Sequence, residues 1–104
     1  MTLQSFNART GEAYGQALQA TTSHELNAAI EKAAQAFEEW QASDGASRAS
    51  LLNALAAALE QDREKLVELA DAETGLGLPR LNGELDRTAF QLRRFAHIAK
   101  TGGA

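Results

Sequence analysis

Leu26, Ala29, Ile30, Ala33, Phe37 and Trp40 recur at three- and four-residue intervals, with Glu31, Lys32, Glu38 and Glu39 between them. That spacing predicts an amphipathic helix. Thr22 and Glu25 mark its start in the spacing of a capping box, the threonine oxygen meeting a free N–H while the glutamate reaches back. Ser43-Asp44-Gly45 interrupts the pattern and offers caps for a second helix, which places Leu52, Leu55, Leu59, Leu66 and Leu69 on one side. Asp62 stands where another leucine would continue the stripe, so a kink or short break is expected near residues 61–63. The second helix should stop at Glu73–Gly75, where glycine can take the left-handed closing conformation. A third opens near Pro79, a residue well tolerated in a first turn. Its Leu81, Leu85, Thr88, Leu92, Phe95 and Ala99 form a narrow seam spaced 4-3-4-3-4, with Phe90 on the opposite side. An aromatic residue there predicts burial on two faces and an absent neighbour.

Upstream, SFNARTGEAYGQALQATT has no helical period. Tyr14, Gln16, Leu18 and Ala20 alternate after an Asn-Ala-Arg-Thr-Gly-Glu turn in which Gly11 can supply a positive φ, so a β-hairpin with a longer loop is expected. The predicted fold is mainly α: three amphipathic helices, the second kinked or broken near 61–63, preceded by a β-hairpin. Residues 1–21 form the hairpin segment and 22–104 the helical segment, together one partial domain.

Composition sharpens this picture in one respect. Apolar residues make up 44% of the 104, but 22 of them are alanine. Alanine adds little buried area, and a domain of this size leaves much of its surface exposed. The core should be thin, and the isolated chain should self-associate or exchange elements to cover its apolar faces. Net charge is −4, with 5 basic and 12 acidic groups in residues 1–79 and 5 and 2 in residues 80–104. The mildly basic tail is too weak to argue for nucleic acid, and no aromatic residues interleave it in a stacking pattern. The absence of cysteine excludes a disulfide framework, a thiolate nucleophile and a cysteine metal site. MTLQSFNART lacks a basic segment followed by an apolar one, so no signal peptide is expected, and the longest apolar run, residues 54–59, is far too short to span a membrane. A soluble cytoplasmic protein, with neither nucleic acid nor membrane as partner, is the expectation.

Candidate chemistry is sparse. Gly75-Leu76-Gly77 begins a GxGxxG pattern, but Arg80 takes the third glycine position and a helix, not a strand, precedes it. A helix stop and restart is the expected reading. Gly83, inside a helical pattern, marks either close approach by another backbone or a ligand, or a helix that starts later. Arg80, Glu84, Arg87, Gln91 and Arg94 recur at 4-3-4-3, as a solvated stripe of i,i+4 pairs or as an anion site in which arginine forks bind carboxylates. His24 and His97 lack metal-ligand spacing, and the acidic pairs fall on exposed helix faces with no apolar surround to separate their pKa values.

SFNARTGEAYG, FEEWQAS, SRASLLNALAAALEQDREKLVELADAETG and ETGLGLPRLNGELDRTAFQLRRFA together resemble the opening of an aldehyde dehydrogenase. The last run is similar to the branch acting on α-ketoglutaric semialdehyde (2,5-dioxopentanoate). Ala8 stands where the family usually has proline, and Leu76-Gly77-Leu78 where Lys-Pro is common. The resemblance implies a piece of the α/β aldehyde dehydrogenase fold, the N-terminal part of its coenzyme-binding domain. In the family, thiolate attack on the aldehyde is followed by hydride transfer to NAD or NADP. The catalytic cysteine, general base, oxyanion asparagine and nucleotide glycines lie downstream, so this chain alone is expected to be inactive and to bind no cofactor. The rest of the parent polypeptide is its implied partner, and a homo-oligomer its implied assembly. Positions matching Gly83, Glu84 and Arg87 border the substrate entrance in similar enzymes. Gly83 would keep the passage open, and Arg87 could pair with the distal carboxylate of an acidic aldehyde. The alternative is a stand-alone helical interaction module that binds a partner through the seam and Phe90.

Overall fold

The Asn7–Glu12 turn shapes the first element. The Asn7 side-chain oxygen accepts the backbone N–H groups of Arg9 and Thr10 at 2.8 and 3.1 Å, and Gly11 donates to the Asn7 carbonyl at 2.8 Å. Gly11 does so at φ 75°, a conformation glycine takes without steric cost. The turn joins strands β1 (Thr2–Phe6) and β2 (Ala13–Gln19) into an antiparallel hairpin. Pairing of Leu3 with Leu18 shifts to pairing of Ser5 with Tyr14, so β2 bulges over residues 15–17. The Gln4 amide fills the bulge, donating to the carbonyls of Tyr14 and Gly15 at 3.2 Å each.

The computed structural model describes residues 1–102; Gly103 and Ala104, the end of the expected helical segment, lie outside the described residues. Helix α1 (Ser23–Ala42) starts at the capping box: the Thr22 hydroxyl accepts the Glu25 N–H at 3.1 Å and the Glu25 carboxylate accepts the Thr22 N–H at 3.4 Å. Asp44 caps α2 (Gly45–Gln61) by accepting the Ser47 N–H at 2.8 Å. Helix α3 (Arg63–Thr74) ends on Gly75 in the left-handed conformation, and α4 (Leu78–Thr101) carries Pro79 in its first turn.

Among the described residues four helices therefore replace the expected three. The break at Asp62 is complete (φ −94°, ψ 14°), yet it orphans no backbone group there. The Asp62 N–H still bonds the Ala58 carbonyl at 3.2 Å, and its own carbonyl accepts the Leu66 N–H at 2.9 Å. One residue closes α2 and opens α3, redirecting the chain without the cost of an unpaired backbone polar group.

Packing inverts the expectation drawn from the large side chains. On α2 the buried residues are Ala49 and Ala56; on α4 they are Leu85, Ala89 and Ala96. Leu55, Leu66 and Leu69 stay substantially exposed, as does Phe95 at 59%. The seam is thus rotated: Leu85, Ala89, Leu92, Ala96 and Ala99 face inward, matching Gly45, Ala49, Leu52, Ala56 and Leu59 on α2. Gly45 lies hard against the far end of α4, where an added β-carbon would overlap the Ala99 carbonyl oxygen. Small side chains let the antiparallel α2 and α4 approach closely, and Leu55, Phe90 and Phe95 are left on other faces.

Helix α1 buries no residue, and its Leu26, Ile30, Phe37 (62% exposed) and Trp40 face outward. The radius of gyration is 17.8 Å, against about 13 Å for a compact domain of this length. Accessible surface reaches 8011 Å², roughly 2,300 Å² more than a compact monomer of this mass exposes.

Gly45→Ala should lower stability by about 1–3 kcal/mol through overpacking. Gly83→Ala, where an added β-carbon meets nothing within 4 Å, should raise it by about 1 kcal/mol through helix propensity. Denaturant melts of the two variants check the contrast, and equal shifts would contradict the close α2–α4 contact.

Candidate functional site

The glycine-bearing turn between α3 and α4 is organised by Asp71. Its carboxylate accepts the Gly77 N–H at 2.9 Å and takes the Arg9 guanidinium in a two-armed contact at 2.8 and 3.0 Å. One residue on, the Ala72 carbonyl accepts the Ala8 N–H at 2.8 Å. The hairpin turn is thereby docked on the end of α3, and the backbone N–H that a phosphate loop would offer is already bonded to the protein's own carboxylate. Gly75 and Gly77 stop one helix and start the next.

The Arg9 fork, with the Gly77 N–H in support, holds the Asp71 carboxyl below the usual aspartate range. Glu60 is likewise held low by the fork of Arg93, and Asp44 by the Ser47 N–H. Arg93 grips both Glu60 oxygens from α4, one at 3.0 Å. Arg63, at the start of α3, donates to the Asn82 carbonyl at 3.3 Å, to the Asn82 side-chain oxygen at 3.1 Å and to the Asp86 carboxylate. Helix α4 is thus tied to the end of α2 and the start of α3 by ion pairs of opposite polarity.

Gly83 and Arg87 lie one turn apart on the α4 face opposite its buried Leu85, Ala89 and Ala96. Phe90, 67% exposed, shares that face. Glu84 is turned aside and borders an apolar groove of about 230 Å³ between α3 and α4, lined also by Leu59, Leu66, Val67 and Leu81. The structure therefore sets Gly83 and Arg87 one turn apart on the outward face, with Glu84 at its edge beside the groove. Helix α4 already runs through Gly83, so a later start does not explain that glycine. Among the described residues Arg87 forms no ion pair, and the stripe from Arg80 to Arg94 contains none of the i,i+4 pairs its spacing allows. His24 and His97 are exposed, and no cluster of metal-ligating side chains occurs among the described residues. No helix there is long and apolar enough to cross a membrane.

Comparison with known proteins decides the family: the aldehyde dehydrogenase family model matches residues 1–103. The chain belongs to the aldehyde dehydrogenase family. It is 38% identical over 101 residues to an alpha-ketoglutaric semialdehyde dehydrogenase of Acinetobacter baylyi, and 39% identical over 106 to alpha-ketoglutaric semialdehyde dehydrogenase 2 of Azospirillum brasilense. It is 33% identical over 95 residues to a 2-aminomuconic semialdehyde dehydrogenase of Danio rerio. These alignments cover 97%, 97% and 90% of the chain but 19% of each relative, so the chain spans about a fifth of their length.

Aldehyde dehydrogenases generally use NAD(P). The described residues do not fit that group: their sheet is one antiparallel hairpin, and their glycine turn follows a helix and is bonded to Asp71. Sequence reasoning missed Asp71 and Arg63. Their partners are 62 residues away for Asp71 and 19 and 23 for Arg63, and no local spacing joins them.

The lowered carboxyl values set a pH dependence. An acidic group whose folded pKa lies below its unfolded one stabilises the fold above the unfolded value, and that contribution is lost as pH falls through the folded value. Stability should therefore be level above the ordinary values of 3.8 for aspartate and 4.5 for glutamate, and decline below them. Asp71→Ala should speed hydrogen exchange at the Ala8 amide near neutral pH while leaving the amides of α2 protected; unchanged exchange at Ala8 would show that Asp71 does not hold the hairpin.

Proposed function

We propose that this chain is the N-terminal segment of an NAD(P)-dependent aldehyde dehydrogenase that oxidises an acid-bearing aldehyde, α-ketoglutaric semialdehyde being the favoured substrate. The names of the two relatives near 38–39% identity support the substrate class. The observation that carries the site is Arg87: a guanidinium on an outward helix face that binds no carboxylate among the described residues. A planar fork in that state suits a ligand carboxylate, which it can hold bidentately.

In this reading Gly83, Glu84 and Arg87 border the substrate entrance. Gly83 leaves room one turn before the arginine, Arg87 pairs with the distal carboxylate, and Glu84 edges the neighbouring groove. The residues of this chain bind and orient substrate, and bond-making belongs to parts of the enzyme outside it. We also propose that residues 1–21 and 22–104 form part of the coenzyme-binding domain, that the chain alone is inactive, that the enzyme is cytoplasmic, and that it assembles as a homo-oligomer. The exposed apolar faces of α1 and α4 support extensive contacts beyond this chain.

Two outcomes follow. In the full-length enzyme, Arg87→Ala should raise KM for the acidic aldehyde by roughly tenfold or more, as expected when a charge-assisted pair is lost, and leave a neutral aldehyde nearly unaffected. Equal effects on both would sink the assignment. The isolated chain should sediment as dimers or larger species in analytical ultracentrifugation, and a concentration-independent monomer would show that its exposed apolar surface needs no cover.

A further inference from the structure

We infer that Arg63 is the positioning residue of the entrance on α4; the inference rests on the assignment of Gly83 and Arg87 made above. Arg63 is the first residue of α3, directly after the Asp62 break, and its side chain is 30% exposed. One guanidinium arm reaches Asn82, donating to its carbonyl at 3.3 Å and its side-chain oxygen at 3.1 Å, and the other reaches the Asp86 carboxylate. Asn82 passes the grip back along the helix, donating from its amide to the Leu78 carbonyl at 3.0 Å. The clamp thus extends from the first residue of α4 through Asp86.

The order of residues gives the clamp its meaning. Asn82 is followed by Gly83, and Asp86 by Arg87. Each gripped residue directly precedes an entrance residue, and the two grips stand one helical turn apart, as the two entrance residues do. Any rotation or slide of α4 against α3 must carry Gly83 and Arg87 with it. Gly83 is also where α4 is intrinsically weakest, because glycine lowers helix stability and its missing side chain contacts nothing within 4 Å. The clamp brackets that weak point from both sides.

Energetics separate positioning from folding. Asp86 is 67% exposed, and an exposed ion pair contributes little to stability. Loss of the clamp should leave the fold intact and free the orientation of α4, and misplacement of a binding group is felt in catalytic constants well before it is felt in stability. A lysine keeps the charge but is a single point donor, so it cannot hold two turns at once.

The test uses the full-length enzyme, with steady-state kinetics on the acid-bearing aldehyde and on a neutral aldehyde of the same chain length. Arg63→Met and Arg63→Lys should each raise KM for the acidic aldehyde about three- to tenfold, in the range of coupled neighbouring residues, with kcat and the neutral aldehyde little changed. Asp86→Asn, which leaves the arginine in place, should move KM the same way by less. In an Arg87→Ala background the Arg63 substitutions should have no further effect. Equal effects on both aldehydes, or an undiminished effect without Arg87, would overturn the positioning role while the entrance assignment stands. An Arg87→Ala substitution that shifts KM equally for both aldehydes would instead remove the entrance assignment, and the inference with it.

Discussion

Close contact between α2 and α4 governs what every other surface of this chain can do. Gly45 lies against the Ala99 carbonyl, and Ala49, Ala56, Ala89 and Ala96 are the buried positions that follow from that approach. Two helices can come this near only where side chains are absent or are methyl groups. The gain is dense packing with little loss of side-chain entropy, since alanine has no rotamers to freeze. The cost is small apolar area per residue. A core of this kind takes in Leu85 and parts of Leu52, Leu59 and Leu92, and leaves Leu55, Phe90 and Phe95 on other faces.

That geometry explains the open form of the molecule. Helix α1 has a regular apolar stripe and a complete capping box, yet none of the described residues covers the stripe. Local signals are sufficient to shape a helix and do not supply its neighbour. An excess surface of roughly 2,300 Å² is the size of an extensive obligate interface. It accords with a chain that spans about a fifth of the length of its aldehyde dehydrogenase relatives.

Charged groups hold together what the thin core leaves loose. Asp71 joins the hairpin turn, the end of α3 and the start of α4; Arg63 and Glu60 join α3 and α2 to α4. Each pair has at least one exposed partner and is individually weak, so together they set orientation more than stability. On the far side of α4, Arg87 has no carboxylate partner among the described residues. The same helix is thus anchored by one set of charges and presents another outward.

The sequence alone determined the elements and their ends. Alternation around a glycine-bearing turn, a Thr–Glu capping box, a Ser-Asp-Gly break, an aspartate in a leucine stripe and a glycine–proline restart all act within a few residues, so they are legible without a fold. The aldehyde dehydrogenase resemblance was legible for the same reason, because it is carried by contiguous runs. Only the tertiary structure decided that the break at Asp62 is complete, that alanines fill most of the buried positions of α2 and α4, that Glu84 borders an apolar groove, and that Asp71 and Arg63 organise the turn and α4. Helical periodicity identifies a face but not its partner. How closely two helices approach, and which charges meet across the gap, depends on residues 19 to 62 positions apart, and nothing local encodes it.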